Sequence, residues 1–131
     1  MIEATQFEAE VRELHAFFER WYCGAADPRE IIRLDVLADS FVMIGPDGRE
    51  FDVQMVRASV EAAYGSRSTK FNIRNVAVRP NAPIGTYEEW QTAEGITTAR
   101  ISTAVMMPAV DTPNGLRWLH LHETWLPDVR P

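Results

Sequence analysis

The spacing of apolar residues changes once along this chain, from a helical period before residue 65 to a two-residue period after residue 70. In the first segment, apolar side chains spaced by four, three, four and three residues share one stripe of a predicted amphipathic helix: Phe7, Val11, Leu14, Phe18 and Trp21. Charged residues occupy the other positions, and Glu10 is predicted to face water with them. Gly24 supplies the residue without a Cβ at which this helix is expected to end.

Capping residues mark two further helix starts. Asp27 is followed directly by Pro28 and three residues later by Glu30, a pattern that combines an N-cap, a proline at the first helical position and a capping box. The helix that follows is short and apolar, and its isoleucines, Ile32 among them, are predicted to be buried. Asp52 is predicted to cap a third helix.

Extended patterns cover residues 41–52 and most of the chain after residue 70. Residues 41–52 surround a Gly-Pro-Asp-Gly turn and predict a small hairpin. Four later segments are rich in alternating apolar and β-branched residues and predict consecutive antiparallel strands: residues 70–79, 84–92, 96–107 and 116–126. A change of phase near Asn75 indicates a bulge in the first of them. The order of elements predicts an α+β fold, with three helices followed by four strands.

Neither face of the predicted closing strand, residues 116–126, has the polar residues typical of a solvent-exposed face. Strict alternation places Trp118, His120, His122 and Thr124 on one side and Leu119, Leu121 and Trp125 on the other. A strand that is apolar on one side and carries indole and imidazole on the other predicts a sheet covered on both faces, with one face lining a semi-polar cavity.

Size and charge limit the classes of protein to which this chain can belong. Its 131 residues fit one domain, residues 1–131, with a single core. A net charge of −6, with basic residues scattered among acids, argues against nucleic-acid binding. Cys23 is the only cysteine, and no run approaches the roughly 20 apolar residues of a membrane span. A cytoplasmic location without membrane contact is therefore predicted.

The order of elements and three short motifs resemble the nuclear transport factor 2-like superfamily. The motifs are Asp27-Pro28 between the first helices, Ala-Asp-Ser-Phe at residues 38–41, and Leu-His-Leu-His-Glu-Thr at residues 119–124. The last is similar to the closing strand of the association domain of calmodulin-dependent kinase, and the superfamily also contains SnoaL-like polyketide cyclases and ketosteroid isomerases. The resemblance covers nearly the whole chain.

The resemblance implies a strongly curved, mixed and mostly antiparallel sheet that holds the three helices in its concave face. This cystatin-like or SnoaL-like cone has a deep cavity, and the outer face of the sheet is used for a homodimer. Isomerases of this fold place a general-base aspartate just after the first strand, where this chain has Gly45. Asp47 lies nearby but belongs to the predicted turn, so the chain does not match the catalytic residues of the isomerases.

The candidate catalytic residues are His120 and His122, because two imidazoles on one side of a strand could act as acid, base or hydrogen-bond donor near pH 7. The alternative is that both are structural. A metal site would need a third ligand, and the remaining histidine, His15, lies on the first helix with nothing to fix its approach. Neither a metal nor a cofactor is predicted.

Arg100 interrupts a strand of threonine, isoleucine and alanine. If the Arg100 side chain is buried, its charge requires a carboxylate from the ligand or the protein. If the side chain points outward, it would pair with Glu88 or Glu89 on the neighbouring strand. The sequence leaves both arrangements open. The other candidate ligand-binding residues are aromatic or flexible side chains, several with a hydroxyl that can donate to a carbonyl or oxyanion: Trp21, Tyr22, Met43, Tyr64, Tyr87, Trp90 and Trp118.

Two functional hypotheses follow. The first is a small-molecule binding protein whose cavity takes a largely apolar, cyclic or carbonyl-containing ligand and could support acid–base chemistry of the isomerase, cyclase or lyase kind. The second is an association module with a vestigial cavity, in which Leu119, Leu121 and Trp125 bury apolar surface in a symmetric dimer.

Overall fold

The computed structural model describes residues 2–131, which form two α-helices, one 3₁₀ helix and a six-stranded sheet. The helices are α1 (Ala4–Tyr22), the 3₁₀ helix (Pro28–Val36) and α2 (Val53–Ala62). The strands are β1 (Leu37–Ile44), β2 (Glu50–Asp52), β3 (Lys70–Val78), β4 (Ile84–Ala93), β5 (Ile96–Pro108) and β6 (Leu116–Trp125). The predicted α+β class and the predicted order of elements are confirmed.

The sheet is open and mixed, with strand order β2-β1-β6-β5-β4-β3. Strands β3 to β6 are antiparallel to one another, as predicted, and β1 joins the sheet by parallel pairing with β6. The hairpin between β4 and β5 turns at Glu94 and Gly95, whose φ angles of 52° and 77° are those of a tight two-residue turn. The bulge predicted near Asn75 is also present, with a φ of 55° at this residue and a register shift between Arg74 and Ala77.

Helix α1 packs its apolar stripe on one face of the sheet. Phe7 and Val11 are fully buried, and Leu14 and Trp21 nearly so. The Phe7 ring packs over Gly85 of β4, where an added Cβ would lie 2.2 Å from Cζ of Phe7. A residue without a side chain is therefore needed at this position of β4 to admit the ring.

Capping at the second helix follows the prediction. The Asp27 side chain accepts from the Arg29 backbone N–H, and Glu30 accepts from the Asp27 backbone N–H at 2.8 Å. The segment forms a 3₁₀ helix, and the predicted burial of its isoleucines is wrong, because Ile31 is half-buried and Ile32 is 70% exposed. Leu34 and Val36 supply the buried side chains of this helix instead.

The predicted solvent exposure of Glu10 is also wrong. Its side chain is fully buried and accepts hydrogen bonds from Arg33 Nη2 and Trp118 Nε1, both at 2.8 Å, and from Asn114 Nδ2 at 3.1 Å. These donors come from the 3₁₀ helix, from β6 and from the loop that precedes β6. Glu10 therefore ties α1 to three other parts of the fold.

Candidate active site

Strand β6 contains one residue more than the stretch of β5 that faces it. The consecutive residues Val105 and Met106 pair with His120 and Trp118, which leaves Leu119 without a partner on β5. An extra residue of this kind is a β-bulge, and it reverses the alternation of all side chains that follow it.

The bulge corrects the predicted orientation of the two histidines. Leu121 and Glu123, which follow it at alternate positions, line a cavity between the helices and the sheet. His120 and His122 therefore lie on the outer face, where His122 is exposed and the two imidazole centroids are 6.5 Å apart. The prediction that these imidazoles point into the cavity is wrong, so neither is placed to act on a molecule inside it.

The same reversal moves Trp125 to the inner face. It pairs with Arg100, whose guanidinium carbon lies 4.7 Å from the centre of the Trp125 ring. The predicted apolar outer face made by Leu121 and Trp125 is therefore wrong, since both side chains are on the inner face. The homodimer itself stays a prediction.

The cavity has a volume of about 370 Å³ and mostly apolar walls. It lies between α1, α2 and the inner face of the sheet. Its aromatic walls come from both the helical layer and the sheet: Phe18, Tyr22, Phe41, Phe51, Phe71, Tyr87 and Trp118. Such a lining favours a compact, largely apolar ligand.

His15 and Glu89 form a buried ion pair at one side of this cavity. The imidazole Nε2 is 2.7 Å from Glu89 Oε1, and Nδ1 is 2.7 Å from the carbonyl oxygen of Val11. Burial by itself lowers the pKa of His15, but the charge of Glu89 and the two hydrogen bonds outweigh it and raise that pKa above its usual value. The imidazolium is therefore favoured, with both ring N–H groups donating.

Arg100 extends this pair into a chain of charges. Its Nε is 3.9 Å from Glu89 Oε2 and its Nη1 is 3.4 Å from Glu123 Oε1. Of the two arrangements that the sequence left open, the structure has the inward one, and the carboxylates come from the protein itself. The Nε–H group is buried and has no hydrogen-bond acceptor.

The two carboxyl groups on either side of Arg100 differ in acidity. Burial alone would raise the pKa of Glu89, but the charge and hydrogen bond of His15, with Arg100 nearby, hold that pKa well below its usual range. Burial and the charge of Glu89 raise the pKa of Glu123 to about 7, against the attraction of Arg100. Two carboxyl groups whose pKa values are separated in this way can divide the roles of fixed anion and proton carrier.

Tyr87 adds an uncharged donor beside these groups. Its side chain is buried on the inner face of β4, opposite Ser102 of β5, and its hydroxyl makes no hydrogen bond of normal length and angle within the protein. Burial and the neighbouring carboxylates Glu89 and Glu123 raise the pKa of Tyr87 well above its usual value, so the group stays a phenol. A buried O–H without an acceptor is free to donate to a ligand.

The other predicted binding residues divide between the cavity and its surroundings. Tyr22, Met43 and Trp118 line the cavity with Tyr87 and Arg100, and their contact with a ligand stays a prediction. The guanidinium of Arg67 lies 3.8 Å above the Tyr22 ring.

Three predicted residues lie away from the cavity lining. Trp21 and Tyr64 pack edge to face at 4.6 Å, and their polar atoms donate to backbone carbonyls. Trp90 lies on the outer face, where the guanidinium of Arg74 covers its ring at 4.1 Å and Glu88 accepts its N–H at 3.0 Å. Their positions are explained by packing.

Sequence reasoning missed His15, Glu89 and Glu123 as members of the site. A signal for Glu89 was available, because a two-residue turn at Glu94 and Gly95 fixes the register that places Glu89 opposite Arg100. Glu123 had no such signal, since the bulge hides its direction. Among residues 2–131, no group of three or more His, Cys, Asp or Glu side chains is arranged to hold a metal ion.

Comparisons with known proteins identify the fold. No family model matches the chain. It is 24% identical over 126 residues to a protein of Arabidopsis thaliana named Probable sucrose-phosphatase 3a, and the match covers 89% of this chain and 29% of that protein. The chain thus spans less than a third of the length of this curated relative.

Solved structures give the clearer result. A nuclear transport factor 2-like protein of unknown function from Pseudomonas aeruginosa superposes with a TM-score of 0.81 at 21% identity, covering 92% of this chain and 98% of that one. Nuclear transport factor 2-like proteins from Cytophaga hutchinsonii and Rhodospirillum rubrum give TM-scores of 0.64 and 0.62 at 10% and 14% identity. These two matches cover 96% and 95% of this chain and 100% and 99% of theirs.

The chain therefore has the nuclear transport factor 2-like fold, as its sequence motifs indicated. Assignment to the SnoaL-like subdivision stays a prediction. Within the described residues, none of the helices combines the length and the apolar character needed to cross a membrane.

Proposed function

We propose that the protein binds a small, largely apolar molecule with a carbonyl or similar acceptor in this cavity, and that Glu123 exchanges a proton with the bound molecule. The observation that carries the proposal is the pairing of a loosely held Glu123 with the unpartnered hydroxyl of Tyr87 inside apolar walls.

The two groups have complementary roles. A carboxyl group whose pKa is about 7 is divided between its acid and its base form at neutral pH, which is the condition for efficient general acid–base catalysis. The Tyr87 hydroxyl can donate to a carbonyl oxygen as negative charge develops on it during proton removal from the neighbouring carbon. The apolar walls exclude water and strengthen both interactions.

Proton removal can be detected with simple ketones, without knowledge of the natural ligand. We expect cyclic ketones incubated with the protein in D₂O to exchange the hydrogens next to their carbonyl group faster than in buffer, as measured by NMR. Glu123→Gln should lower the protein-dependent rate by about a hundredfold or more, since a positioned base typically contributes on the order of 10²–10⁴. Tyr87→Phe should lower it by about a hundredfold, the usual loss when one donor to a developing oxyanion is removed.

Glu88→Gln is the matched control, because Glu88 lies on the same sheet but on its outer face. This variant should keep the rate of the unchanged protein. Equal rates in the Glu123→Gln variant would refute the acid–base part of the proposal.

A further inference from the structure

The inner end of the cavity carries more positive than negative charge whenever Glu123 holds its proton. His15 and Arg100 then face the single carboxylate of Glu89. All three side chains are largely shielded from solvent, so this excess is poorly screened.

The unused donors lie in the same place. The Nε–H of Arg100 and the hydroxyl of Tyr87 are buried and lack acceptors, while Glu123 is held only by contacts of 3.4 Å to Arg100 and 3.5 Å to Ser102. A protonated Glu123 would add a third donor. Three donors beside an unbalanced positive charge match an anionic oxygen better than a neutral one.

The other residues that line the cavity also favour an anionic ligand with an apolar body. Arg67 is the other cation among the lining residues, and Glu89 and Glu123 are the only acids among the described residues that line the cavity. Aromatic rings form the remaining walls and suit a flat hydrocarbon body.

We propose that the ligand is an organic acid with an aromatic or alicyclic body, which binds as its carboxylate on Arg100 and Tyr87 while Glu123 takes up a proton from solvent. This inference rests on the proposed function, since it uses the same cavity, and it names the class of ligand. No bond of the ligand breaks in this step; the anion enters, and one proton leaves a solvent donor and forms an O–H bond on Glu123, so the charge of the complex balances.

The sign of the pH effect follows from the groups around Glu123. An anion beside Glu123 disfavours its ionised form, so binding should weaken as pH rises through the range in which the free protein loses this proton. The titratable or charged groups that face Glu123 come from α1, β4, β5 and the segment after α2: His15, Tyr22, Arg67, Tyr87, Glu89 and Arg100. The lowered pKa of Glu89 keeps it ionised near pH 7 and the raised pKa of Tyr87 keeps it a phenol, while the added anion favours the charged form of His15.

A matched pair of probes tests the inference. β-Naphthoate and β-naphthamide share one body and differ in charge, and the naphthoate carboxyl group stays ionised throughout the pH range used. Calorimetric titration should give a Kd for β-naphthoate at least about tenfold below that for β-naphthamide at about pH 6, because a charge-assisted contact is stronger than a neutral one. Between about pH 6 and about pH 8.5 the Kd of β-naphthoate should rise by about fivefold or more.

Substitutions at Glu123 and Arg100 test which residue causes the pH dependence and which causes the preference for the anion. Glu123→Gln resembles the protonated side chain, so its rise in Kd for β-naphthoate between the two pH values should be at most about half that of the unchanged protein, with only the contribution of His15 remaining. Arg100→Gln should lose the preference for the anion, whereas Arg74→Gln, which removes a cation from the outer face, should keep it. If Arg100→Gln fails to fold by circular dichroism, the pH profile of Glu123→Gln decides alone.

The outcomes separate the two proposals. Equal or tighter binding of β-naphthamide, or a pH dependence in Glu123→Gln as large as that of the unchanged protein, overturns this inference and leaves the proposed function standing. Binding of neither probe, together with no ketone exchange, refutes both.

Discussion

Of the three buried glutamates among residues 2–131, Glu10 and Glu123 have very different surroundings. Glu10 accepts three hydrogen bonds of 2.8 to 3.1 Å from Arg33, Trp118 and Asn114, and its side chain is fully buried. Every donor that meets it belongs to a different structural element from α1. Glu10 is therefore a fixed part of the fold.

Glu123 is almost as deeply buried but is held loosely. Its closest partners, Arg100 and Ser102, lie at 3.4 and 3.5 Å, and a cavity adjoins it. The difference teaches that burial does not by itself decide the role of a carboxyl group. The number and closeness of its donors decide whether it fastens elements together or remains available to a ligand.

The largest expected effect is the loss of Glu10. Glu10→Ala leaves the Arg33 guanidinium without its carboxylate and the Trp118 N–H without an acceptor, so the free energy of unfolding should fall by about 3–5 kcal/mol. Urea denaturation measures this loss. The control is Glu8→Ala on the same helix, whose half-exposed ion pair with Arg12 should contribute about 0.5 kcal/mol or less. Similar losses in the two variants would contradict the structural role of Glu10.

The pH dependence of stability tests the assignment of Glu123. The folded pKa of Glu123, about 7, lies above its unfolded value near 4.5, so the folded state binds the extra proton and loses stability as pH rises between these values. The raised pKa of His15 acts in the same direction above its ordinary value of 6.5, whereas the lowered pKa of Glu89 acts only below about pH 4.5.

Glu123→Gln should remove the Glu123 contribution and leave that of His15. Relative to about pH 5, the variant should gain about 2 kcal/mol over the unchanged protein by about pH 7.5, since one pKa unit corresponds to about 1.4 kcal/mol. Thermal unfolding across this range measures the difference. Glu88→Gln serves as the control, because the pKa of Glu88 is lowered and its titration falls below the range. Parallel curves for the unchanged protein and Glu123→Gln would show that Glu123 is ionised in the folded state.

The smallest effect concerns two tyrosine hydroxyls. Tyr64 donates to the carbonyl oxygen of Ala26 at 2.6 Å, whereas the hydroxyl of Tyr87 has no partner. Tyr64→Phe should therefore cost about 1 kcal/mol, and Tyr87→Phe should change stability by less than about 0.5 kcal/mol. Chemical denaturation of both variants gives the comparison, and an equal cost would mean that Tyr87 is bonded within the protein.

Local patterns in the sequence predicted most of the fold. The three-and-four spacing of α1, the caps at Asp27 and Asp52 and the turn at Glu94 and Gly95 each act within a few residues, so no distant contact is needed to interpret them. The resemblance to the nuclear transport factor 2-like superfamily followed from their order and is confirmed at the level of the fold.

Long-range contacts explain what was missed. Glu10 was assigned to the water-facing side of α1 because its partner Trp118 is 108 residues away in the chain. His15 likewise meets Glu89 across 74 residues. The orientation of β6 was wrong for a different reason, since alternation was counted from Trp118 through the unpaired Leu119.

That unpaired residue affects how sequences of this fold should be aligned. If Leu119 were absent, ordinary alternation from Trp118 would already place Leu121 and Glu123 inside, so the chain can gain or lose a residue here without exchanging the inner and outer sets. Homologous positions of the second half of β6 should accordingly be counted backward from Trp125, with any gap placed at the bulge.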